Sequence, residues 1–183
     1  MVSSQEQASK EEVLANAQAD VASRTFAYEP GQGEAWWWIG MLATIKATAE
    51  QTGGRYTLVE ILVPEGFASP LHVHHQEDEG FGILEGEMTF YVGDQTIKAQ
   101  PGSFLFGPKG VPHAFTVDSG PARLLFVLSP GGFEDLVREM GEPARERTIP
   151  AAPEAPPDEA QMERMAAIAA RYGNEILGPP PGQ

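Results

Sequence analysis

The chain has 183 residues, of which 42% are hydrophobic, enough for one domain with a sizeable core. A formal net charge of −14 argues against nucleic acid and against an anionic membrane surface, since both need clustered Lys and Arg. With no cysteine there is no disulfide, no thiolate nucleophile and no thiolate metal site, a composition that fits a reducing cytoplasm.

The first residues, MVSSQEQASKEEVLANAQAD, show neither a basic start nor an apolar run, so no signal peptide is expected. No segment approaches the ~20 apolar residues of a membrane span. Cytoplasmic location is the resulting expectation. Val13, Leu14, Ala17 and Val21 recur at helical spacing and predict a helix within Lys10–Arg24. Residues 1–35 are therefore assigned to an N-terminal helix or arm.

From Trp36 to about residue 132 the pattern changes to short apolar or alternating runs separated by turns. Strands are predicted at Trp36–Ala47, Arg55–Leu62, Leu71–His75, Gly80–Leu84, Glu87–Val92, Gln95–Ala99, Ser103–Phe106, His113–Val117 and Arg123–Ser129. The clearest turn signal is Gly93–Asp94, which predicts a hairpin. Regularly spaced short strands of this kind imply an all-β sandwich or barrel over 36–132.

Beyond the barrel, Phe133, Leu136, Val137 and Met140 fall at i, i+3, i+4 and i+7, and Gly141 can end a short amphipathic helix. Half of the sixteen prolines lie in 142–183. Within that stretch Asp158 can cap a helix running to about Tyr172. Residues 133–183 are thus read as C-terminal helices and a Pro-rich tail, with the APEAPP and GPPPG segments as extended linkers.

All four histidines sit in two short stretches. In a strand, residues i and i+2 face one side, so His72 and His74 project together while His75 points away. Glu79 follows after a gap long enough for the chain to turn and pair back. His113 lies far along the chain. Three imidazoles and one carboxylate form a mixed nitrogen/oxygen set for a divalent transition metal, with open positions for water or substrate. Glu77 is the rival carboxylate and sits in the turn. Phe81, Ile83, Phe115 and Val117 share strand parity with Glu79 or His113 and are cavity candidates. Trp36–Trp38 could form an aromatic platform, a core or an interface, and Glu60 interrupts an apolar strand.

These residues resemble the two motifs of the cupin family. Gly66, His72, His74, Glu79 and Gly86 match the first without mismatch. Gly102, Pro108, Gly110 and His113 match the second, whose terminal Asn is replaced by Val117. The resemblance implies a single-domain double-stranded β-helix, or jelly-roll barrel, with short flanking α-helices. It also implies metal ligands His72, His74, Glu79 and His113, holding one divalent ion per chain: iron, nickel, manganese, copper, cobalt or zinc. The His-Val-His-His-x-Glu-Asp-Glu run and the SPGGFEDLVREMG exit are similar to small quercetin-dioxygenase-like cupins.

The function implied is that of an oxygenase acting on a small apolar or aromatic enol or diketone, with Glu79 as the catalytic carboxylate. The alternatives are a metal-dependent isomerase, cyclase or lyase, and a non-catalytic module binding a small ligand or metal. A homodimer is expected, with Trp36–Trp38 and the apolar tail helix lying against the partner.

Overall fold

The computed structural model describes Lys10, Val13 and residues 25–153, 155 and 157–180. Two compact units divide the chain, Met1–Pro30 and Gly31–Gln183. In the first, Lys10 and Val13 are helical, and the rings of Phe26 and Tyr28 lie 5.8 Å apart. Leu14, Ala17 and Val21 of the predicted N-terminal helix lie outside the described residues.

The second unit runs β1 (Glu34–Trp38), β2 (Met41–Ala47), α1 (Ala49–Thr52), β3 (Thr57–Val63), β4 (Leu71–His74), β5 (Asp78–Val92), β6 (Gln95–Ala99), β7 (Phe104–Gly107) and β8 (His113–Ser129). It continues with α2 (Phe133–Met140), β9 (Glu142–Pro143), α3 (Glu159–Arg171) and β10 (Asn174–Gly178). Every strand pairing is antiparallel. The sheet order is β10-β4-β8-β3-β2-β1-β9, and β5 joins β8 to β6 and β7. The fold is an all-β jelly roll with short flanking helices.

Alternation builds the interior. In β3, Val59, Ile61 and Val63 are fully buried, while Leu58, Glu60 and Leu62 between them are half-buried on the other face. Phe81, Ile83, Met88 and Phe90 of β5 meet Phe115, Val117, Leu124, Phe126 and Leu128 of β8 in one apolar core. Burying each such side chain contributes about 1.5–3 kcal/mol before the entropy of ordering it is counted.

The long pair β5 and β8 was predicted as four shorter strands. The expected breaks at Glu85–Gly86 and Asp118–Pro121 are bends within continuous strands, with register shifts between Ile83 and Met88. Gly86, at φ 80°, lies against β8 so closely that a Cβ there would sit 2.7 Å from the Ala122 Cα. Turn-type residues here curve two paired strands instead of reversing the chain. The opposite difference occurs at Trp36–Ala47, predicted as one strand. It is a hairpin whose turn, Ile39–Gly40, has φ of 43° and 83°. A β-branched residue is rarely found at positive φ, so Ile39 carries no turn signal and Gly40 is the sole one here. Ile39 is held by packing against the core. The Gly93–Asp94 hairpin forms as predicted, with Val92 opposite Gln95.

Helix α2 lays Phe133, Leu136 and Val137 on the barrel. It also buries Glu134, whose carboxylate accepts from the Ala49 N–H at 2.6 Å and the Gly132 N–H at 3.2 Å, and contacts the Thr57 hydroxyl. Helix α3 begins on a reciprocal cap: Asp158 accepts from the Gln161 N–H at 2.8 Å, and the Gln161 side chain accepts from the Asp158 N–H at 2.9 Å. After it the chain forms β10, which pairs with β4 and was not anticipated. Among the described residues no helix is long and apolar enough to cross a membrane.

Candidate metal centre

Strand β4 directs His72 and His74 to one face, and register sets His113 at the start of β8 directly opposite His72. Glu79 lies on β5 with the inward parity of Phe81 and Ile83. The four side chains converge: one ligand-type atom from each lies within 4.8 Å of all the others. His113 Nε2 is 2.7 Å from Glu79 Oε2, and His74 Nε2 is 3.4 Å from Glu79 Oε1. His75 points away, exposed, with its Nε2 on Glu175 at 2.8 Å.

Each imidazole is anchored through Nδ1. His72 Nδ1 lies 2.8 Å from the Pro70 carbonyl, His113 Nδ1 3.0 Å from the Val111 carbonyl, and His74 Nδ1 3.0 Å from Glu77 Oε1. All three partners accept, so in its neutral form each ring carries its proton on Nδ1 and leaves Nε2 to present a lone pair to the common centre. Glu77 is buried and outside the cluster. It is the group that orients His74, a role the sequence reading did not assign to it. A carboxylate three residues beyond a motif histidine is the signal that could have shown this.

The donor set fits a cation. Glu79 Oε2 and His113 Nε2 are buried and close, yet misaligned for a hydrogen bond with each other. Two electron-rich atoms that face the same point without bonding each other suit a third atom between them. Electrostatics agree. Burial alone would raise the Glu79 carboxyl, but His74, His113 and His72 together hold it below its ordinary 4.5. Burial lowers His113, and the Glu79 carboxylate outweighs it, so that His113 stays above its ordinary 6.5. His72 is drawn down to about 4 by burial and by the neighbouring His113, so it is neutral near pH 7 and ready to ligate.

The cluster opens on a cavity of about 390 Å³. His72, His74 and Glu79 give it one polar end, while Phe115, Phe126, Phe133 and Met41 form apolar walls. Of the predicted cavity residues only Phe115 lines it. Phe81, Ile83 and Val117 pack in the core instead, because β5 and β8 close together beneath the site. Trp38 is buried and lines the cavity, whereas Trp36 and Trp37 are half-buried and bond through Nε1 to Glu34 and the Thr148 carbonyl. Glu60 lies on the outer face, paired with Arg123 at 3.0 Å and Lys46 at 3.2 Å. The sequence reading did not place the tail here, yet Met165, Ala169, Asn174 and Ile176 complete the wall. Asn174 is legible only through the pairing of β10 with β4.

A family described as "Cupin domain" matches residues 58–128. The chain is 32% identical over 130 residues to a quercetin 2,3-dioxygenase of Bacillus subtilis, covering 71% of this chain and 39% of that protein. It is 27% identical over 108 residues to a quercetin 2,3-dioxygenase of Aspergillus japonicus, covering 55% and 31% respectively. It thus spans only about a third to two fifths of the length of these relatives. Among solved structures, an RmlC-like cupin from Shewanella frigidimarina superposes with a TM-score of 0.52 at 21% identity, over 62% of this chain and 97% of that one. A predicted oxalate decarboxylase from Thermotoga maritima gives 0.53 at 17% identity, over 58% and 99%. At such identity both likenesses speak for the fold alone.

Proposed function

From the premise that this chain belongs to the cupin superfamily, we propose that it is a metal-dependent oxygenase acting on a small apolar or aromatic enol or diketone. One observation carries the reading: His72, His74 and Glu79 of the cluster line a mainly apolar cavity of about 390 Å³. Likeness to the two quercetin 2,3-dioxygenases supports oxygen chemistry over the redox-neutral alternatives. No Lys or Arg lines the cavity among the described residues, which disfavours phosphorylated substrates.

The Nε2 atoms of His72, His74 and His113 and the carboxylate of Glu79 would hold one divalent transition ion. Iron, nickel, manganese, copper, cobalt and zinc all accept this set. Such an ion supplies Lewis acidity and an exchangeable position. The remaining work belongs to the chain. Glu79, kept ionised by its histidine neighbours, is placed to take the proton of a substrate enol hydroxyl on a carboxylate oxygen. Phe115, Phe126 and Phe133 hold a flat apolar body against the cluster and exclude water from it.

The reading also carries a homodimer. Trp38, Ile168 and Ala169 are used inside the chain and make poor contacts for a partner, while Met162 of α3 stays exposed. The outer face of β5, β7 and β8 instead exposes Leu84, Phe104, Phe106 and Val127. Light scattering that gives a monomer throughout the accessible concentration range would count against it.

Oxygen consumption tests the main proposal. Protein loaded separately with each metal should consume oxygen with a panel of enols and diketones. Turnover without oxygen uptake would favour an isomerase, cyclase or lyase. Tight ligand binding without turnover, in fully metallated protein, would favour a binding module.

A further inference from the structure

The metal cavity has two walls of different construction. Met41, Phe115, Phe126 and Phe133 belong to the apolar core of the barrel. Met165, Ala169, Asn174 and Ile176 come instead from α3 and β10, and this tail piece holds the barrel lightly. Of the thirteen residues of α3 only Ile168 and Ala169 are buried, and Met162 stands exposed. Strand β10 lies at the end of the sheet against β4, and its register shifts between Ile176 and Gly178. The chain approaching α3 is tied to the barrel at Thr148, whose carbonyl accepts from Trp37 Nε1 at 3.0 Å. Among the described residues of 149–157 none makes a hydrogen bond.

Two fastenings hold this piece down where α3 meets β10. The Glu139 carboxylate of α2 contacts the Arg171 guanidinium and accepts from the Tyr172 hydroxyl at 2.8 Å. Both side chains of the Glu139–Arg171 pair are more than a third exposed, where ion pairs contribute little. Next to it the His75 N–H donates to the Gly173 carbonyl at 2.8 Å. Gly173, at φ 77°, approaches Gln76 so closely that a Cβ there would sit 2.6 Å from the Gln76 Cγ. Segments with few buried apolar contacts open at far lower free energy than the whole fold, and active-site lids are drawn from them. We infer that α3 and β10 form a lid over the metal cavity, latched by Glu139 and lifting from β4 and α2 as one piece while the barrel stays folded. Closed, the lid keeps water from His74 and Glu79, each 3% exposed. Open, it uncovers Met41, Phe115 and the metal cluster to an arriving ligand. It serves any ligand of this cavity and does not depend on oxygen chemistry.

The chain has no cysteine, so single introduced thiols can report the opening. Met41→Cys places one on the barrel wall of the cavity, at a position 1% exposed, and Ala169→Cys places one on the lid, at a position 5% exposed. Ala43→Cys, fully buried in the core, is the control. Dipyridyl disulfide, an uncharged thiol reagent, is added to each zinc-loaded full-length variant, and the released thiopyridone is followed by absorbance. Met41→Cys and Ala169→Cys should react at similar rates, at least about a hundredfold faster than Ala43→Cys, because the lid opens without global unfolding. Adding Glu139→Ala should speed both about fivefold, the upper end for an exposed ion pair, and leave Ala43→Cys unchanged. If both react as slowly as Ala43→Cys, the tail is a fixed wall and there is no lid. Fast Met41→Cys with slow Ala169→Cys means that ligands come in elsewhere. Fast Ala169→Cys with slow Met41→Cys means that the tail frays without uncovering the cavity. Either result overturns the lid, and rates that ignore Glu139→Ala overturn the latch.

Discussion

Replacing Glu77 should weaken metal binding although Glu77 is not in the ligand cluster. From sequence position alone Glu77→Gln is expected to change little, because Glu77 sits in the turn before β5. The structure changes the argument. Glu77 is buried, and its Oε1 is 3.0 Å from His74 Nδ1 inside the protein. That contact keeps the proton on Nδ1 and the lone pair on Nε2. Glutamine still offers an acceptor oxygen, so Glu77→Gln should cost only a few-fold in affinity. Leucine offers none: His74 Nδ1–H is left buried without a partner, or the ring turns or changes tautomer to satisfy it. Loss of such an orienting partner costs about 10–100-fold in metal affinity, about 1.4–2.8 kcal/mol at 1.4 kcal/mol per tenfold. An independent figure agrees, since a hydrogen bond to a charged acceptor contributes about 1.5–3 kcal/mol. Zinc competition against a chromophoric chelator at neutral pH measures the effect, with near-UV circular dichroism as the folding control. His75→Ala, on an exposed residue outside the cluster, should match wild type. If Glu77→Leu keeps wild-type affinity while His74→Ala loses it, the orienting role is wrong.

Elemental analysis should find about one divalent ion per chain by the four-donor logic, and His74→Ala and His113→Ala should each lose most of it; full metal in both variants refutes the site. Metal uptake should weaken as pH falls from the alkaline side towards 6.5, because Glu79 holds His113 above its ordinary value and Nε2 must lose its proton before it can ligate. His72, at about 4, offers no such competition near neutrality, and an affinity independent of pH across that range would refute the assignment. Glu134→Ala should destabilise the fold by about 2–4 kcal/mol in urea denaturation, since it leaves the Ala49 N–H and the Thr57 hydroxyl without their buried acceptor, while the Gly132 N–H keeps the Thr57 oxygen at 2.9 Å; a change below about 0.5 kcal/mol would show that water replaces it. Truncation after Pro143 should leave a folded barrel with a lower melting temperature and stronger binding of an apolar fluorescent dye, because Met165, Ala169 and Ile176 no longer wall the cavity; an unchanged dye signal would contradict the placement of the tail.

The sequence by itself determined what depends on local geometry and on motif spacing. His72 and His74 share a face because a strand has period two. The Asp158 cap and the Phe133 to Met140 stripe are local signals, and both helices form where those signals lie. The spacing of the two histidine motifs carried the barrel and the four converging donors. Tertiary structure decided whatever depends on which strands become neighbours. Gly86 and Pro121 look like chain reversals but are bends in paired strands, because only the partner shows which of the two a turn residue serves. Ile39 turns the chain against its own preference because core packing outweighs a local backbone cost. Glu77 orients His74 only because both are buried in one place, and Asn174 reaches the cavity only because β10 returns across a hundred residues to lie beside β4. Long-range pairing leaves little trace in local sequence, since its energy comes from burial shared between distant segments.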